Sequence, residues 1–422
     1  MLLIKNGRII DPYSGRDEIA DILTKDEKII KIAEDIDVQE GCIVIDASGM
    51  VVAPGLIDVH VHFRDPGFTY KEDILTGSLA AAKGGFTTVV CMANTNPVVD
   101  NEDTLEYIMD VCKKSPINVL QAASITKGMK GTELVDMEYL KNKGAVGFTD
   151  DGYPIMNSAI VLKAMEEARR LNVPVSFHEE DPSFIKSAGV NEGKVSEKLG
   201  VGGASHLAED VMVARDCAIA VFTGAKVNIQ HLSSGNSVEI IRSAKKMGAI
   251  VTAEASPHHF SMTEEDVLIY GTNAKMNPPL RTEADRLKII EGLKDDTIEI
   301  IATDHAPHSS EEKAREFSKA PSGITGLETA LAVGIKFLVN KGHLNISKLL
   351  EKMTINPAKL YNLETGILKE DYPADIVIFN PDEKWIFNEF CSKSSNSPYN
   401  GSELQGKVKF TICNGKVVYE DK

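Results

Sequence analysis

His60 and His62 stand two apart at the end of a β-rich run, in Asp58-Val59-His60-Val61-His62-Phe63-Arg64. Residues i and i+2 of a strand share a face, so both imidazoles and the Arg64 guanidinium project into one place. Four further run ends carry similar chemistry: His178 in Val175-Ser176-Phe177-His178, His231 in Asn228-Ile229-Gln230-His231, Asp304 in Ala302-Thr303-Asp304, and the pair Asp150-Asp151 after Gly147-Phe148-Thr149. One histidine at a strand end is an ordinary polar residue. Four imidazoles with carboxylates and no thiolate are a donor set for Zn²⁺ or another divalent first-row metal. Six donors exceed the needs of one catalytic zinc, so the set reads as two ions sharing a carboxylate. Two such ions generate hydroxide from water at neutral pH, and Asp304 has the character of a proton shuttle to a leaving nitrogen. The chemistry implied is metal-dependent hydrolysis.

These donors meet only if the run ends share a rim. Eight β-rich runs, at 51–63, 86–93, 117–125, 145–149, 173–178, 226–231, 249–255 and 298–303, alternate with helix-like segments such as 158–171, 210–223 and 238–247. That alternation predicts an α/β fold, a (β/α)8 TIM barrel, whose C-terminal rim gathers the strand ends. The chain ends read differently. Short strands at 2–5, 19–23, 29–32 and 43–46, and again at 376–379, 408–412 and 416–419, predict one small β-domain formed by both terminal segments. An Asn-Gly turn is expected at each end, at Asn6-Gly7 and Asn414-Gly415. The expected division is 1–53 and 363–422 for the β-domain and 54–362 for the barrel. Two insertions, 183–205 and 308–326, fall on the rim side, and the second reads equally as a lid or as a solvated charged loop.

Composition narrows the class. With 62 acidic against 46 basic side chains and a net charge of −16, the 422-residue chain is a poor binder of a phosphate backbone. No apolar run approaches a membrane span, and the N-terminus does not read as a signal peptide. Six cysteines without CxxC spacing suggest reduced thiols. The expectation is a soluble, acidic protein of the cytoplasm.

Beyond this chemistry, the motifs resemble the amidohydrolase superfamily and, more narrowly, class I bacterial dihydroorotases. Pro54-Gly55-Leu56-Ile57-Asp58-Val59-His60-Val61-His62 resembles the superfamily's first-strand signature. Arg64-Asp65-Pro66-Gly67, Met92-Ala93-Asn94-Thr95-Asn96-Pro97, Asn277-Pro278-Pro279-Leu280-Arg281 and Thr303-Asp304-His305-Ala306-Pro307-His308 resemble the dihydroorotases in combination. The resemblance implies reversible hydrolysis of (S)-dihydroorotate to N-carbamoyl-L-aspartate in de novo pyrimidine biosynthesis. It implies two Zn²⁺ per subunit on His60, His62, Asp151, His178, His231 and Asp304, with Asp304 also the catalytic acid and base. Alternation sends only one of Asp150 and Asp151 inward; the resemblance selects Asp151 as bridge, where many relatives use a carboxylated lysine. Substrate contacts are implied for His62, Arg64, Asn94, Asn277, His308, Ser322 and Gly323, the small Ser322 leaving a backbone contact at its position. His305 and the His258-His259 pair are given no chemistry. A homodimer and association with aspartate carbamoyltransferase are the partners implied.

Two other readings compete. Allantoinases and dihydropyrimidinases (hydantoinases) open related rings, but their substrates lack the ring carboxylate, which leaves Arg64 without a partner. A metal-free scaffold for aspartate carbamoyltransferase would ordinarily have lost ligands, and here all six are present.

Overall fold

A computed structural model describes residues 1–421. Eight parallel strands form the barrel: Leu56–Val61, Phe86–Cys91, Asn118–Gln121, Phe148–Thr149, Val175–Phe177, Val227–Ile229, Val251–Ala255 and Ile300–Ile301. The first three pair in one sheet and the last five in another. Parallel bridges from Ala123 to Phe148 and from Val61 to His305 close the ring. The first two strands are buried at every position, because helices cover one face and the barrel interior the other.

Helices recur between the strands for local reasons. In Ser158–Leu171, Asn157 caps the N-terminus by accepting from the Ala159 N–H, and Asn172 ends it in the left-handed region at φ 54°. Its buried residues Val161, Ala164, Met165, Ala168 and Leu171 recur at three and four, so one stripe faces the barrel. No helix among the described residues is long and apolar enough to cross a membrane.

Both chain ends enter one eight-stranded sheet. Leu2–Asp11 pairs antiparallel with Arg16–Lys25, and that strand with Lys28–Ala33. Val51–Pro54 joins the N-terminal strands to Ile376–Ile386, which continues through Glu403–Cys413 to Lys416–Glu420.

Two local expectations are corrected. Asn414-Gly415 makes the hairpin turn, but Asn6-Gly7 lies within one continuous strand, as a bulge between Ile4 and Gly7. Asn6 takes φ 60° there and its N–H donates to Asp21 Oδ1 at 2.9 Å. The bulge lets the strand pair first with Ile43–Asp46 and then with Val51–Pro54. The run at 51–63 also divides at Gly55, where a Cβ would sit 2.2 Å from Thr87 Oγ1. Its first half belongs to the terminal sheet and its second half to the barrel.

The 308–326 segment is tied down from inside. Lys313 Nζ, almost fully buried, donates to the carbonyls of Pro321 and Gly323, both at 3.0 Å. Lys275 Nζ donates to those of Phe317 at 2.6 Å and Ala320 at 2.7 Å.

Candidate metal centre and active site

His60 lies in the first barrel strand, and His62, His178 and His231 follow just after the first, fifth and sixth. Two groups of three donors result, His60–His62–Asp151 and Asp151–His178–His231, and Asp151 belongs to both. Its Oδ1 is 3.4 Å from His60 Nε2, 3.6 Å from His178 Nδ1 and 3.7 Å from His231 Nε2, and its Oδ2 is 3.4 Å from His62 Nε2. Asp150 turns the other way and accepts from the backbone N–H of Ile125 at 2.8 Å and of Thr126 at 3.0 Å, and from the Thr126 hydroxyl. Asp304 stands beside the first group, its Oδ1 3.0 Å from His62 Nε2 and 3.6 Å from His60 Nε2.

Charge in the cluster is balanced internally. Burial resists the imidazolium of His60, but Asp151, Glu254 and Asp304 outweigh it and hold its pKa well above the usual value. His178 rises to about 10, with Asp151 and Glu180 overcoming burial in the same way. Conversely, burial resists ionisation of Asp151 and Asp304, and the surrounding histidines hold both below the usual carboxylate range.

A cavity of about 570 Å³ opens over these residues, within the size range of small-molecule sites. Every expected substrate contact, His62, Arg64, Asn94, Asn277, His308, Ser322 and Gly323, lines it. Arg64 arrives by a route other than strand alternation. The strand ends at Val61, and Arg64 takes a left-handed φ of 62° that turns its guanidinium back toward the Pro307 carbonyl, 3.2 Å from Nε. His231 and Asp304 share this unusual backbone, at φ 32° and 49°. Non-glycine residues held this way are uncommon and gather at functional sites.

Several of the expected contacts also bind one another. Asn94 Oδ1 is 2.9 Å from His62 Nδ1, while its Nδ2 donates to Asp151 Oδ2 at 3.1 Å. Ser322 Oγ donates to Asn277 Oδ1 at 3.0 Å, and the Ser322 carbonyl accepts from His308 Nε2 at 2.8 Å. His305 stays out of the cavity, its Nδ1 accepting from the Gly326 N–H at 3.2 Å. His258 and His259 are buried and do not line the cavity.

Three residues at the site escaped the sequence reading. Glu254, from the seventh strand, holds His60 Nδ1 at 3.1 Å. Glu180 holds His178 Nε2 at 2.9 Å, and Lys71 reaches His308 Nδ1 at 3.3 Å. A signal for Glu254 existed: it is the lone charge in Val251-Thr252-Ala253-Glu254-Ala255, a strand that must be buried on both faces. Nothing in the spacing points to Lys71.

Whether these residues suit a metal pair is answered by their unpaired atoms. His60 Nε2 and Asp151 Oδ1 are buried without hydrogen-bond partners, although buried polar groups are normally paired. Nitrogen and oxygen donors with two such atoms turned inward fit a pair of divalent ions such as Zn²⁺. Fold and site together define a barrel hydrolase with a binuclear metal centre. The amidohydrolase family model matches residues 51–418. A dihydroorotase of Clostridioides difficile (strain 630) is 65% identical, covering 99% of this chain and 100% of its own. One from Streptococcus pneumoniae serotype 4 is 54% identical, with 100% of both chains covered. Among solved structures, an L-hydantoinase from Arthrobacter aurescens matches with a TM-score of 0.88 at 25% identity, over 99% of this chain and 96% of its own. A D-hydantoinase from Thermus sp. shares the fold with a TM-score of 0.85 at 24% identity, over 100% of this chain and 96% of its own. The chain belongs to the amidohydrolase family and, within it, to the dihydroorotases.

Proposed function

We propose that the chain hydrolyses (S)-dihydroorotate to N-carbamoyl-L-aspartate and closes the ring again, as a zinc-dependent cyclic amidohydrolase of pyrimidine biosynthesis. The observation that carries this is Asp151, shared by two histidine pairs beneath a cavity that also presents Arg64. When bound, on His60, His62, Asp151, His178, His231 and Asp304, two Zn²⁺ would supply the positive charge that acidifies water and polarises a carbonyl. Arg64, with His308 and Asn94, holds the ring carboxylate; a guanidinium is suited to this because it can donate two parallel bonds. Asn277 and the backbone of Ser322 and Gly323 line the wall that orients the ring. Asp304 takes a proton from the water that adds to the ring carbonyl and passes it to the nitrogen as the carbon–nitrogen bond breaks. The new carboxylic acid then ionises. Net proton release favours the open form at high pH and the ring at low pH.

The rival rings carry no carboxylate, so they leave the cavity's guanidinium without a partner. Ultraviolet-monitored turnover of dihydroorotate, with allantoin and dihydrouracil run in parallel before and after a chelator, tests the reading. Chelator-sensitive loss of dihydroorotate alone supports it, and no turnover by zinc-loaded protein overturns it.

We also keep the division into a 54–362 barrel and a β-domain of 1–53 and 363–422, which the shared terminal sheet supports. All six cysteines are free, which suits a reducing compartment, and we place the enzyme in the cytoplasm. A homodimer and association with aspartate carbamoyltransferase rest on the family resemblance, and sizing the protein alone and with that enzyme checks both.

A further inference from the structure

A histidine binds a metal through one ring nitrogen only if the proton sits on the other, and the group behind the ring decides where it sits. Behind His60 stands Glu254, with Oε2 3.1 Å from Nδ1. Its Oε1 accepts from Asn228 Nδ2 at 2.5 Å, and Asn228 Nδ2 is also 3.2 Å from Ser176 Oγ. Strands five, six and seven thus brace a carboxylate that is completely buried. A proton on Nδ1 leaves Nε2 as the lone pair facing Asp151 and Asp304. Behind His178 the arrangement is reversed. Glu180 Oε2 is 2.9 Å from Nε2, so Nδ1 faces Asp151 and His231. His62 has an amide oxygen rather than a carboxylate behind it, Asn94 Oδ1 on Nδ1, while its Nε2 faces Asp304. Each triad therefore contains one histidine backed by a carboxylate, Glu254 from the seventh strand and Glu180 from the loop after the fifth.

We infer that Glu254 and Glu180 are positioning residues with divided duties. Glu254 prepares the His60–His62–Asp151 group for one ion, and Glu180 prepares the Asp151–His178–His231 group for the other. The inference rests on the two-metal reading above.

The test is zinc binding by the full chain, read as stoichiometry and affinity by competition with a chromophoric chelator. Wild type should bind two equivalents. Glu254→Gln and Glu180→Gln should each weaken one equivalent by about 10–100-fold, the usual range for such outer partners, and leave the other within a few-fold of wild type. The double variant should weaken both. A merely structural defect would loosen both ions alike in each single variant and would lower the unfolding temperature of the metal-free protein. Two wild-type equivalents in either single variant overturn the inference. Because Glu180 lies at the cavity wall, its variant decides the matter even if the buried Glu254→Gln chain does not fold. Fewer than two equivalents in wild type would overturn the two-metal reading and this inference with it.

Discussion

Lys71 sets the orientation of the proton on His308. Its Nζ lies 3.3 Å from His308 Nδ1, and an ammonium can only donate, so Nδ1 accepts and the ring proton sits on Nε2. That proton points to the Ser322 carbonyl at 2.8 Å, next to the Arg64 guanidinium. Burial and the charges of Arg64 and Lys71 keep the ring neutral by pushing its pKa far down. A substrate carboxylate would take this N–H over from the Ser322 carbonyl, exchanging a neutral acceptor for a charged one.

Replacing Lys71 with Met should free that ring to adopt the other tautomer. One hydrogen bond to a charged group is worth about 1.5–3 kcal/mol, so KM for dihydroorotate should rise roughly tenfold or more. The kcat should change much less. Steady-state kinetics separates the two, and an unchanged KM would refute the role.

Arg64 bears more directly on the carboxylate. Arg64→Met should raise KM about 100-fold by removing two charge-assisted bonds, and Arg64→Lys should fall between, since an ammonium cannot form the bidentate pair. Equal KM values in all three proteins would remove Arg64 from substrate binding.

The two adjacent aspartates separate cleanly. Asp151→Ala should lose both zinc equivalents, because both triads contain it. Asp150→Ala should keep them but unfold more easily by about 1–3 kcal/mol, since it strands the N–H groups of Ile125 and Thr126. Metal analysis paired with thermal unfolding reads both outcomes, and the reverse pattern would exchange their roles.

A bridging aspartate needs no carboxylation. Chelator-stripped protein should therefore regain full activity with zinc at the same rate in carbon dioxide-free buffer as in bicarbonate. Dependence of the rate on bicarbonate would point to a modified lysine instead.

Lys313 gives a pH signature for the loop it ties. Burial and the charge of Lys275 lower its pKa from 10.5 to about 7. Between those values the unfolded chain binds the extra proton, so the folded state gains stability as pH rises through about 7 to 10.5. Relative to Lys313→Met, the wild type should become more stable from pH 7 to pH 10 in thermal unfolding. A constant difference across that range would mean that the burial of this ammonium is incomplete.

The metal centre was legible because its chemistry sits at strand ends, where the position of a side chain follows from the fold alone. His60, His178, His231 and Asp304 needed only a barrel to meet. Alternation could not choose between Asp150 and Asp151, because the fourth strand is just Phe148–Thr149 and the chain turns directly after it. Arg64 was expected in the right place for an incomplete reason, since a left-handed residue does what a longer strand was expected to do. Asn6-Gly7 has the composition of a turn, yet the neighbouring strands Ile43–Asp46 and Val51–Pro54 extend the pairing across it. Lys71 and Glu180 act through contacts between segments distant in sequence or beyond strand ends, and no local pattern encodes those.

The joint between Val51–Pro54 and Ile376–Ile386 has a consequence for the growing polypeptide. Nearly the whole barrel is translated between these two strands, so the earlier one leaves the ribosome with a hydrogen-bonding edge exposed and nothing of its own to cover it. Exposed edges invite pairing with other chains. Nascent chains halted before residue 376 should therefore self-associate through this edge, whereas release of the full-length chain closes it.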